Sequence, residues 1–293
     1  MRILVLGASG MIGSAMFRVL SSTSAAGWIV YGTMRSSAAK SFFTPQQTKY
    51  LIGNIDIDRF DDLVRIMGQV KPDLVINCIG LTKHHASCND PLQAIPINAL
   101  LPHRLAHLCA AASARFIHIS TDCVFAGTNG NYLENAPGDA TDIYGKAKLL
   151  GEVAYPHTIT LRTSTIGHEL QSAYGLLEWF LSQKDSCKGF SRAIFSGLPN
   201  TVLAQVVRDY VIPNAQLSGL YHVGADAINK YDLLKLIASV YSKKIEIVQD
   251  DSFAINRSLN SERFFNATGY TAPTWLDLIK IMHDHHNHQL TYV

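Results

Sequence analysis

A glycine-spaced turn near the N-terminus constrains the fold of this chain more than any other feature. The segment Gly7-Ala-Ser-Gly10-Met-Ile-Gly13 directly follows an apolar run, Ile3–Leu6, and leads into a segment with helical apolar spacing. In such a strand–turn–helix the first glycine adopts a conformation that side chains forbid, the second lets a phosphate approach the backbone, and the third lets helix pack on strand. The turn predicts a dinucleotide site at the helix N-terminus. Its predicted contacts are Gly7, Ser9, Gly10, Met11, Ile12 and Gly13.

Short apolar runs recur along the first half of the chain and alternate with helical patterns. Runs this apolar are typical of strands buried on both faces of a parallel sheet. The alternation predicts an α/β fold with a doubly wound parallel sheet, and it weakens beyond Thr163. The predicted strands are Ile3–Leu6, Trp28–Tyr31, Leu74–Asn77, Phe116–Ser120, Thr158–Thr163 and Leu220–Val223. The predicted helices are Met11–Ser21, Arg59–Gly68, Asn98–Ala112, Tyr144–Ala154, Gly175–Leu181, Asn200–Ile212 and Lys230–Tyr241.

This change of pattern predicts two interleaved domains. We expect a Rossmann domain made of residues 1–165 and about 200–226, and a smaller substrate domain made of residues 166–199 and 227–293.

The residues after the second strand indicate which dinucleotide is bound. An NAD site usually has a carboxylate there for the ribose 2′-hydroxyl, whereas the run Val30-Tyr-Gly-Thr-Met-Arg35-Ser36 has none. Arg35 and Ser36 could instead pair with a 2′-phosphate, which favours NADP(H). The alternative is a solvated surface arginine.

Charge and composition exclude several classes of protein. The formal net charge is +2, and no long basic run suggests a nucleic-acid partner. The apolar run before Gly7 is too short for a signal-peptide core, and no stretch is long enough for a membrane helix. The five scattered cysteines indicate free thiols in a reducing compartment. We therefore expect a cytoplasmic protein without a membrane partner.

A second motif, Tyr144-Gly-Lys-Ala-Lys148, places a phenol and an ammonium on one face of a helix. A nearby lysine favours the phenolate, so we expect a lowered Tyr144 pKa and a proton donor and acceptor for carbonyl chemistry. A second pair with this spacing, Tyr231 and Lys235, has no strand-end hydroxyl upstream and is interpreted as helix surface. Tyr144, by contrast, follows the strand that ends at Ser120-Thr-Asp122, and such strand ends bind ligands.

Taken together, these motifs resemble the extended short-chain dehydrogenase/reductase superfamily, and within it the dTDP-4-dehydrorhamnose reductase branch. The similarity runs from residue 1 to about 165 and more loosely to Arg257-Ser-Leu-Asn-Ser261. The segments that carry it are Gly7–Gly13, Asn77–Gly80, Ser120–Gly127, Tyr144–Glu152 and Leu161–Ser164.

The resemblance implies that NADPH reduces C4 of a nucleotide-linked 4-keto-6-deoxy sugar in surface polysaccharide biosynthesis; a homodimer is compatible with it. Tyr144 would protonate the alkoxide, Lys148 would hold the nicotinamide ribose and depress the Tyr144 pKa, and Thr121 would hydrogen-bond the carbonyl oxygen. Asn98 matches a helix asparagine of the superfamily, with a helix cap as the alternative. The further implied cofactor contacts are Asn54, Ile55, Cys78, Gly80, Thr163 and Ser164.

The substrate side departs from the branch's usual sequence. Cys123 replaces an aromatic residue and Thr165 replaces a tryptophan, so the site could admit a bulkier ring such as a 2-acetamido sugar on UDP. Thr82 and Lys83 are further candidate substrate contacts. Arg257 is interpreted either as a clamp for the nucleotide diphosphate or as a surface salt bridge.

Two other functions stay open at this level. A sugar-nucleotide epimerase usually has a carboxylate after the second strand, which is absent here, and Cys123 argues against a dehydratase. A non-catalytic NADP-binding regulatory subunit usually has a damaged catalytic set, whereas Thr121, Tyr144 and Lys148 are all present.

The histidines predict no metal site. Adjacent His84 and His85 project in different directions, and with Cys88 they are interpreted as part of a loop. The histidines between His283 and His288 are interpreted as a solvated, frayed tail.

Overall fold

The central element of the fold is a seven-stranded sheet in which every neighbouring pair is parallel. A computed structural model describes residues 1–22, 27–83 and 87–290, without the side chains of residues 289 and 290. Across the sheet the strands are β10 (Gly219–His222), β6 (Thr158–Thr163), β5 (Arg115–Thr121), β4 (Leu74–Asn77), β1 (Arg2–Leu6), β2 (Ile29–Thr33) and β3 (Leu51–Ile52). The predicted doubly wound α/β class is confirmed.

Helices cover both faces of this sheet. One face packs α1 (Met11–Ser21) and α8 (Asn200–Val206), and the other packs α3 (Phe60–Val70) and α5 (Leu101–Ala111). Strand order reverses between β1 and β4, so ligands are expected at the carboxyl ends of these strands. The other helices of the first half are α2 (Pro45–Thr48), α4 (Pro91–Ala94) and α6 (Ile143–Leu150).

The second half adds two small sheets beside the central one. Strand β8 (Ser186–Phe195) lies between β11 (Ile228–Asn229), which is antiparallel to it, and β12 (Glu246–Asn256), which is parallel. Strands β7 (Thr165–Ile166) and β9 (Leu198–Pro199) form a second, two-stranded sheet. The helices here are α7 (Leu176–Ser182), α9 (Lys230–Val240), α10 (Glu262–Thr268) and α11 (Trp275–Leu290).

Two predicted helices contain a change of helix type. The segment predicted as Asn98–Ala112 begins with a π-helical stretch, Ile95–Leu100, and becomes α-helical only at α5. Proline lacks an N–H for the helical ladder, and the two prolines here, Pro96 and Pro102, lie in the first turns of the two segments. The segment predicted as Asn200–Ile212 likewise turns π-helical over Val207–Val211.

The prediction of a frayed C-terminal tail is wrong for the described residues. Helix α11 continues through the histidines, and two of their rings pack against other residues in the second half of the chain. The His286 ring stacks on His168 with centroids 3.5 Å apart, and the His283 ring meets Tyr241 edge-on at 4.8 Å. His168 in turn bonds Glu178 at 2.6 Å.

No helix in the described ranges is long and apolar enough to cross a membrane.

Candidate functional site

The glycine turn after β1 has the geometry that its sequence predicts. Gly7 has a φ of +82°, a conformation that favours glycine. A Cβ on Gly13 would overlap the Gly7 carbonyl oxygen, whereas a Cβ on Gly10 would meet only that oxygen, at 3.5 Å. Gly13 is therefore required for packing, while Gly10 keeps the surface of the turn open.

Helix α1 begins at this turn with its N–H groups uncapped. Gly10 is the N-cap and supplies no side-chain acceptor, and the first turn of the helix has no acidic residue. The first N–H groups of a helix have no partner within it, and they carry the positive end of the helix dipole. This end of α1 therefore fits the pyrophosphate of a dinucleotide.

Asn200, the first residue of α8, braces the turn from the other half of the chain. Its buried amide donates to the Met11 carbonyl oxygen at 2.9 Å and to the His168 carbonyl oxygen at 3.4 Å. Sequence reasoning missed this residue; the signal was a polar side chain at the start of a largely apolar helix.

The residues after β2 leave a cation available. Arg35 is exposed and forms no hydrogen bond or ion pair with the described residues. Ser36 accepts from the N–H of Ala38, and Asn54, at a φ of +60°, accepts from the N–H of Ser37 at 3.2 Å. Ile55 is buried. The predicted contacts Arg35, Ser36 and Asn54 thus lie together on adjoining loops.

The loop after β4 is positioned by Asn98. Its side chain accepts from the N–H of Leu81 and donates to the Leu81 carbonyl, both at 2.9 Å. The helix-cap alternative is therefore wrong for Asn98. The half-buried Cys78 and the exposed Gly80 precede this anchor, and burial raises the pKa of the Cys78 thiol to about 12.

Thr121, Tyr144 and Lys148 come together at the carboxyl end of β5. The Thr121 side chain is close enough to the Tyr144 phenol to lower its pKa, and the Thr121 hydroxyl accepts from the Cys123 N–H at 3.1 Å. Lys148 lies one helical turn after Tyr144 and donates to the Ile119 carbonyl oxygen at 2.8 Å.

The expected pKa shift of Tyr144 has the opposite sign in this structure. Burial raises the pKa of Tyr144, and the Thr121 side chain only partly opposes that rise. Burial also lowers the pKa of Lys148 to about 8, which the Glu152 carboxylate opposes. The neighbouring lysine charge alone predicts a lowered Tyr144 pKa, whereas desolvation dominates the pKa of both groups.

Glu152 connects the strand ends beneath this group. Its carboxylate accepts from the Ser120 hydroxyl and from two nitrogens of Arg162, all at 2.7 Å. Arg162 also contacts His222 at 3.2 Å. The residues adjacent to Thr121 and Thr163 are thus fixed by one buried ion pair.

Two cations meet Cys123 on the substrate side. A guanidinium nitrogen of Arg257 lies 3.5 Å from the Cys123 sulfur, and the Lys83 ammonium lies 4.0 Å from it. Arg257 also donates to the Phe125 carbonyl at 2.7 Å; it forms no salt bridge with a described residue, so that alternative is not observed. Sequence reasoning missed Lys230, whose pKa burial lowers, with Lys83 and Arg257 acting in the same direction.

The other predicted residues lie around this group without joining it. Within the described ranges, no hydrogen bond connects Thr82 or Thr165 to Cys123, Lys83 or Arg257. Thr163 is buried and donates to the Ser164 carbonyl at 3.2 Å. His84 and His85 lie outside the described residues, and Cys88 donates to the Lys83 carbonyl at 3.3 Å.

Comparison with known proteins decides the family. The family model described as "RmlD substrate binding domain" matches residues 1–262. The chain belongs to this family. The resemblance to the dTDP-4-dehydrorhamnose reductase branch of the extended short-chain dehydrogenases/reductases is thereby confirmed.

Individual relatives show how far the similarity extends. A "Probable low-salt glycan biosynthesis reductase Agl14" from Haloferax volcanii is 27% identical over 262 residues, which cover 85% of this chain and 83% of that protein. A dTDP-4-dehydrorhamnose reductase from Burkholderia thailandensis is 32% identical over 171 residues, which are 57% of this chain and only 50% of that protein. The solved dTDP-4-dehydrorhamnose reductase of Bacillus anthracis, in complex with NADP, shares the fold with a TM-score of 0.77 at 19% identity, covering 97% of this chain and 99% of that one.

Proposed function

We propose that this chain is an NADPH-dependent reductase of the C4 keto group of a nucleotide-activated 4-keto-6-deoxy sugar. The observation that carries the proposal is the grouping of Thr121, Tyr144 and Lys148 beside the uncapped glycine turn, at the carboxyl edge of the parallel sheet. Membership of the RmlD family supports an oxidoreductase, and relatives named as sugar reductases support the substrate class.

The cofactor site is built from three parts of the chain. The N–H groups of α1 would hold the pyrophosphate, and Arg35 with Ser36 would pair with the 2′-phosphate, which favours NADP over NAD. Asn54 and Ile55 would lie at the adenine edge. The nicotinamide path would be lined by Cys78, Gly80, Thr163 and Ser164.

When bound, NADPH supplies the hydride, and the protein supplies the proton. Thr121 and Tyr144 would hold the sugar's carbonyl oxygen. Because burial raises the Tyr144 pKa, the phenol is protonated at neutral pH and can pass its proton to the alkoxide as the C–H bond forms. Lys148, with a pKa of about 8, carries its charge at neutral pH and would hold the nicotinamide ribose.

The sugar would lie against Cys123, with Thr82, Lys83, Thr165 and Arg257 as further contacts. Because Cys123 and Thr165 are small, we propose that the site accepts a bulkier ring, such as a 2-acetamido-2,6-dideoxy-4-keto hexose on UDP. Such reductions supply activated sugars for surface polysaccharide synthesis. We propose that role, in the cytoplasm, for this chain.

The test is NADPH oxidation against dTDP-, UDP- and GDP-linked 4-keto-6-deoxy sugars, with and without a 2-acetamido group. We expect stoichiometric NADPH consumption with at least one of them. Interconversion of C4 epimers without net NADPH consumption would identify an epimerase instead. If no sugar is turned over and Tyr144→Phe leaves the biological activity intact, the chain is a non-catalytic NADP-binding subunit. Turnover of dTDP-4-keto-rhamnose but not of the UDP-2-acetamido sugars would contradict the larger-ring proposal.

A further inference from the structure

Three cations from distant parts of the sequence meet beside the proposed reaction centre. Lys83 follows β4, Lys230 is the first residue of α9, and Arg257 follows β12. Lys83 and Arg257 both contact the Cys123 sulfur, at 4.0 and 3.5 Å. Cys123 itself bonds the Thr121 hydroxyl through its N–H. The cations therefore lie next to the residues that would hold the reacting carbonyl.

The small sheet explains why Lys230 joins this group. Asn229 at the end of β11 and Asn256 at the end of β12 both pair with Ile194, on opposite sides of β8. Lys230 and Arg257 are the next residues along the chain. Two edge strands thus deliver their cations to the same end of the sheet.

Lys230 is in an unfavourable position for a purely structural residue. It is partly buried and lies at the positive end of the α9 dipole, where a cation is destabilising. Within the described ranges it has no hydrogen bond or ion pair, and the positive charges of Lys83 and Arg257 act on it. An unpaired, partly buried cation of this kind costs stability unless a ligand compensates for it.

The charge around Lys230 is not balanced by the protein. The acid that acts on it is Asp122, which already accepts from the Thr121 hydroxyl at 3.2 Å. Three cations against one carboxylate leave a local excess of about two positive charges. That excess matches a diphosphate, whose several oxygens can be shared among separate cations.

We propose that Lys83, Lys230 and Arg257 form a three-point clamp for the diphosphate of the nucleotide sugar, with the partly buried Lys230 as its central cation. This assignment rests on the proposed function for its substrate class. It adds Lys230, which no sequence motif indicates, and it assigns the diphosphate as a ligand to the exposed Lys83. The clamp would place the sugar so that its C4 carbonyl lies against Thr121 and Tyr144.

Calorimetric titration tests the clamp without requiring turnover. UDP, dTDP and GDP are titrated into the NADP⁺-loaded protein, for the wild type and for Lys230→Met, which removes the charge but keeps the apolar stem. We expect Lys230→Met to weaken the tightest-binding nucleoside diphosphate by roughly 10- to 100-fold. Lys230→Arg restores most of that affinity. Lys235→Met, which removes an exposed cation from the same helix, leaves the diphosphate affinity unchanged. Neither Lys230→Met nor Lys235→Met changes the affinity for NADP⁺.

Thermal unfolding of the unliganded variants separates a ligand site from a structural role. Removing an unpaired cation from a helix N-terminus should raise the Tm of Lys230→Met above that of the wild type. A residue that served only the fold would lower the Tm instead. A lower Tm together with unchanged diphosphate affinity therefore overturns the inference.

The remaining outcomes distinguish this inference from the proposed function. Absence of any nucleoside diphosphate binding, or equal binding by wild type and Lys230→Met, overturns the clamp and leaves a measured reductase activity standing. Lys230-dependent diphosphate binding without turnover of any keto sugar supports the clamp and rejects the reductase. UDP-glucuronate and UDP-glucose are compared in the same titration. If Lys230→Met loses affinity for UDP-glucuronate alone, the cations recognise a sugar carboxylate and the diphosphate assignment is wrong.

Discussion

The proposed cofactor end and the proposed substrate end of the site are built in different ways. At the cofactor end, a contiguous segment, Gly7–Gly13, supplies the turn, the uncapped helix and the close helix–strand contact. At the substrate end, Lys83, Cys123, Lys230 and Arg257 come from four separated segments, and their grouping depends on the pairing of β8 with two partner strands. A local motif can therefore predict the first end, whereas the second exists only after folding.

The difference also concerns how charge is held. The cofactor end attracts anions with backbone dipoles, which need no compensating residue in the empty protein. The substrate end uses side-chain cations that repel one another until an anion arrives. Substitutions that remove a charge should accordingly affect binding alone at the cofactor end, and both binding and stability at the substrate end.

The largest expected effect is on catalysis by Tyr144, which lies between the two ends. Tyr144→Phe should lower kcat by roughly 10²- to 10⁴-fold, because the proton donor is lost, and should leave the Kd for NADPH unchanged. Tyr231→Phe, in the second Tyr-x-x-x-Lys pair, is the matched control and should retain full activity. A decrease in kcat of less than tenfold for Tyr144→Phe would show that Tyr144 is not the proton donor.

The glycines of the turn separate packing from cofactor binding. Gly13→Ala places a Cβ against the Gly7 carbonyl and should cost roughly 1–3 kcal/mol of stability. Gly10→Ala has room for its Cβ and should cost less than about 1 kcal/mol, yet weaken NADPH about tenfold by obstructing the phosphate. Chemical denaturation and NADPH fluorescence titration measure the two effects. Equal losses of stability in both variants would contradict the separation.

Arg35 determines the predicted preference for NADPH. Arg35→Ala should raise the KM for NADPH about tenfold and leave the KM for NADH unchanged, since the guanidinium has no structural partner in the described chain. Steady-state kinetics with both cofactors measures the ratio. A parallel change for NADH would mean that Arg35 supports the loop rather than the 2′-phosphate.

The pH dependence of cofactor binding reports on Lys148. Its pKa is lowered to about 8, so its charge is present below that pH and is lost as the pH rises through 8. NADPH affinity should fall above pH 8, and Glu152→Gln should move this fall to lower pH, because the Glu152 carboxylate raises the Lys148 pKa. Fluorescence titrations between pH 6 and 9, at a temperature where the variant is folded, measure the shift. An unmoved profile would show that the ion pair with Arg162 does not act on Lys148.

The smallest expected effect concerns the C-terminal helix. Burial lowers the pKa of His286 from 6.5 to about 4, so the unfolded chain binds a proton in this range that the folded chain does not. Stability should therefore be lost as the pH falls from about 6.5 to 4, and His286→Leu should reduce that loss. His288→Leu, at an exposed position on the same helix, is the control. Urea midpoints at several pH values measure the effect, and equal acid sensitivity of all three proteins would contradict it.

The sequence predicts the structure well where a feature depends on one short segment of the chain. The limits of β4, β6 and α1 follow directly from their apolar patterns, because these elements pack against a continuous core. The catalytic grouping of Thr121, Tyr144 and Lys148 was also accessible, since a strand end and one helix turn fix it.

Where the prediction failed, the missing information was tertiary. Strand β12 is largely exposed, and its apolar and polar residues do not alternate regularly, so it has no pattern to identify it. Without β8 and β12, Lys230 could not be placed beside Arg257. The sign of the Tyr144 shift failed for a similar reason, because burial cannot be read from a four-residue spacing.

Asn200 shows that the structural unit around the glycine turn extends beyond residue 165, where the sequence motifs end. A fragment ending near residue 165 would contain every glycine of the turn, yet it would lack the amide that holds the Met11 carbonyl. During synthesis, the glycine turn would therefore gain its hydrogen bond from Asn200 only after residue 200 has left the ribosome. The glycine turn in the first half of the chain is therefore completed by a residue of the second half.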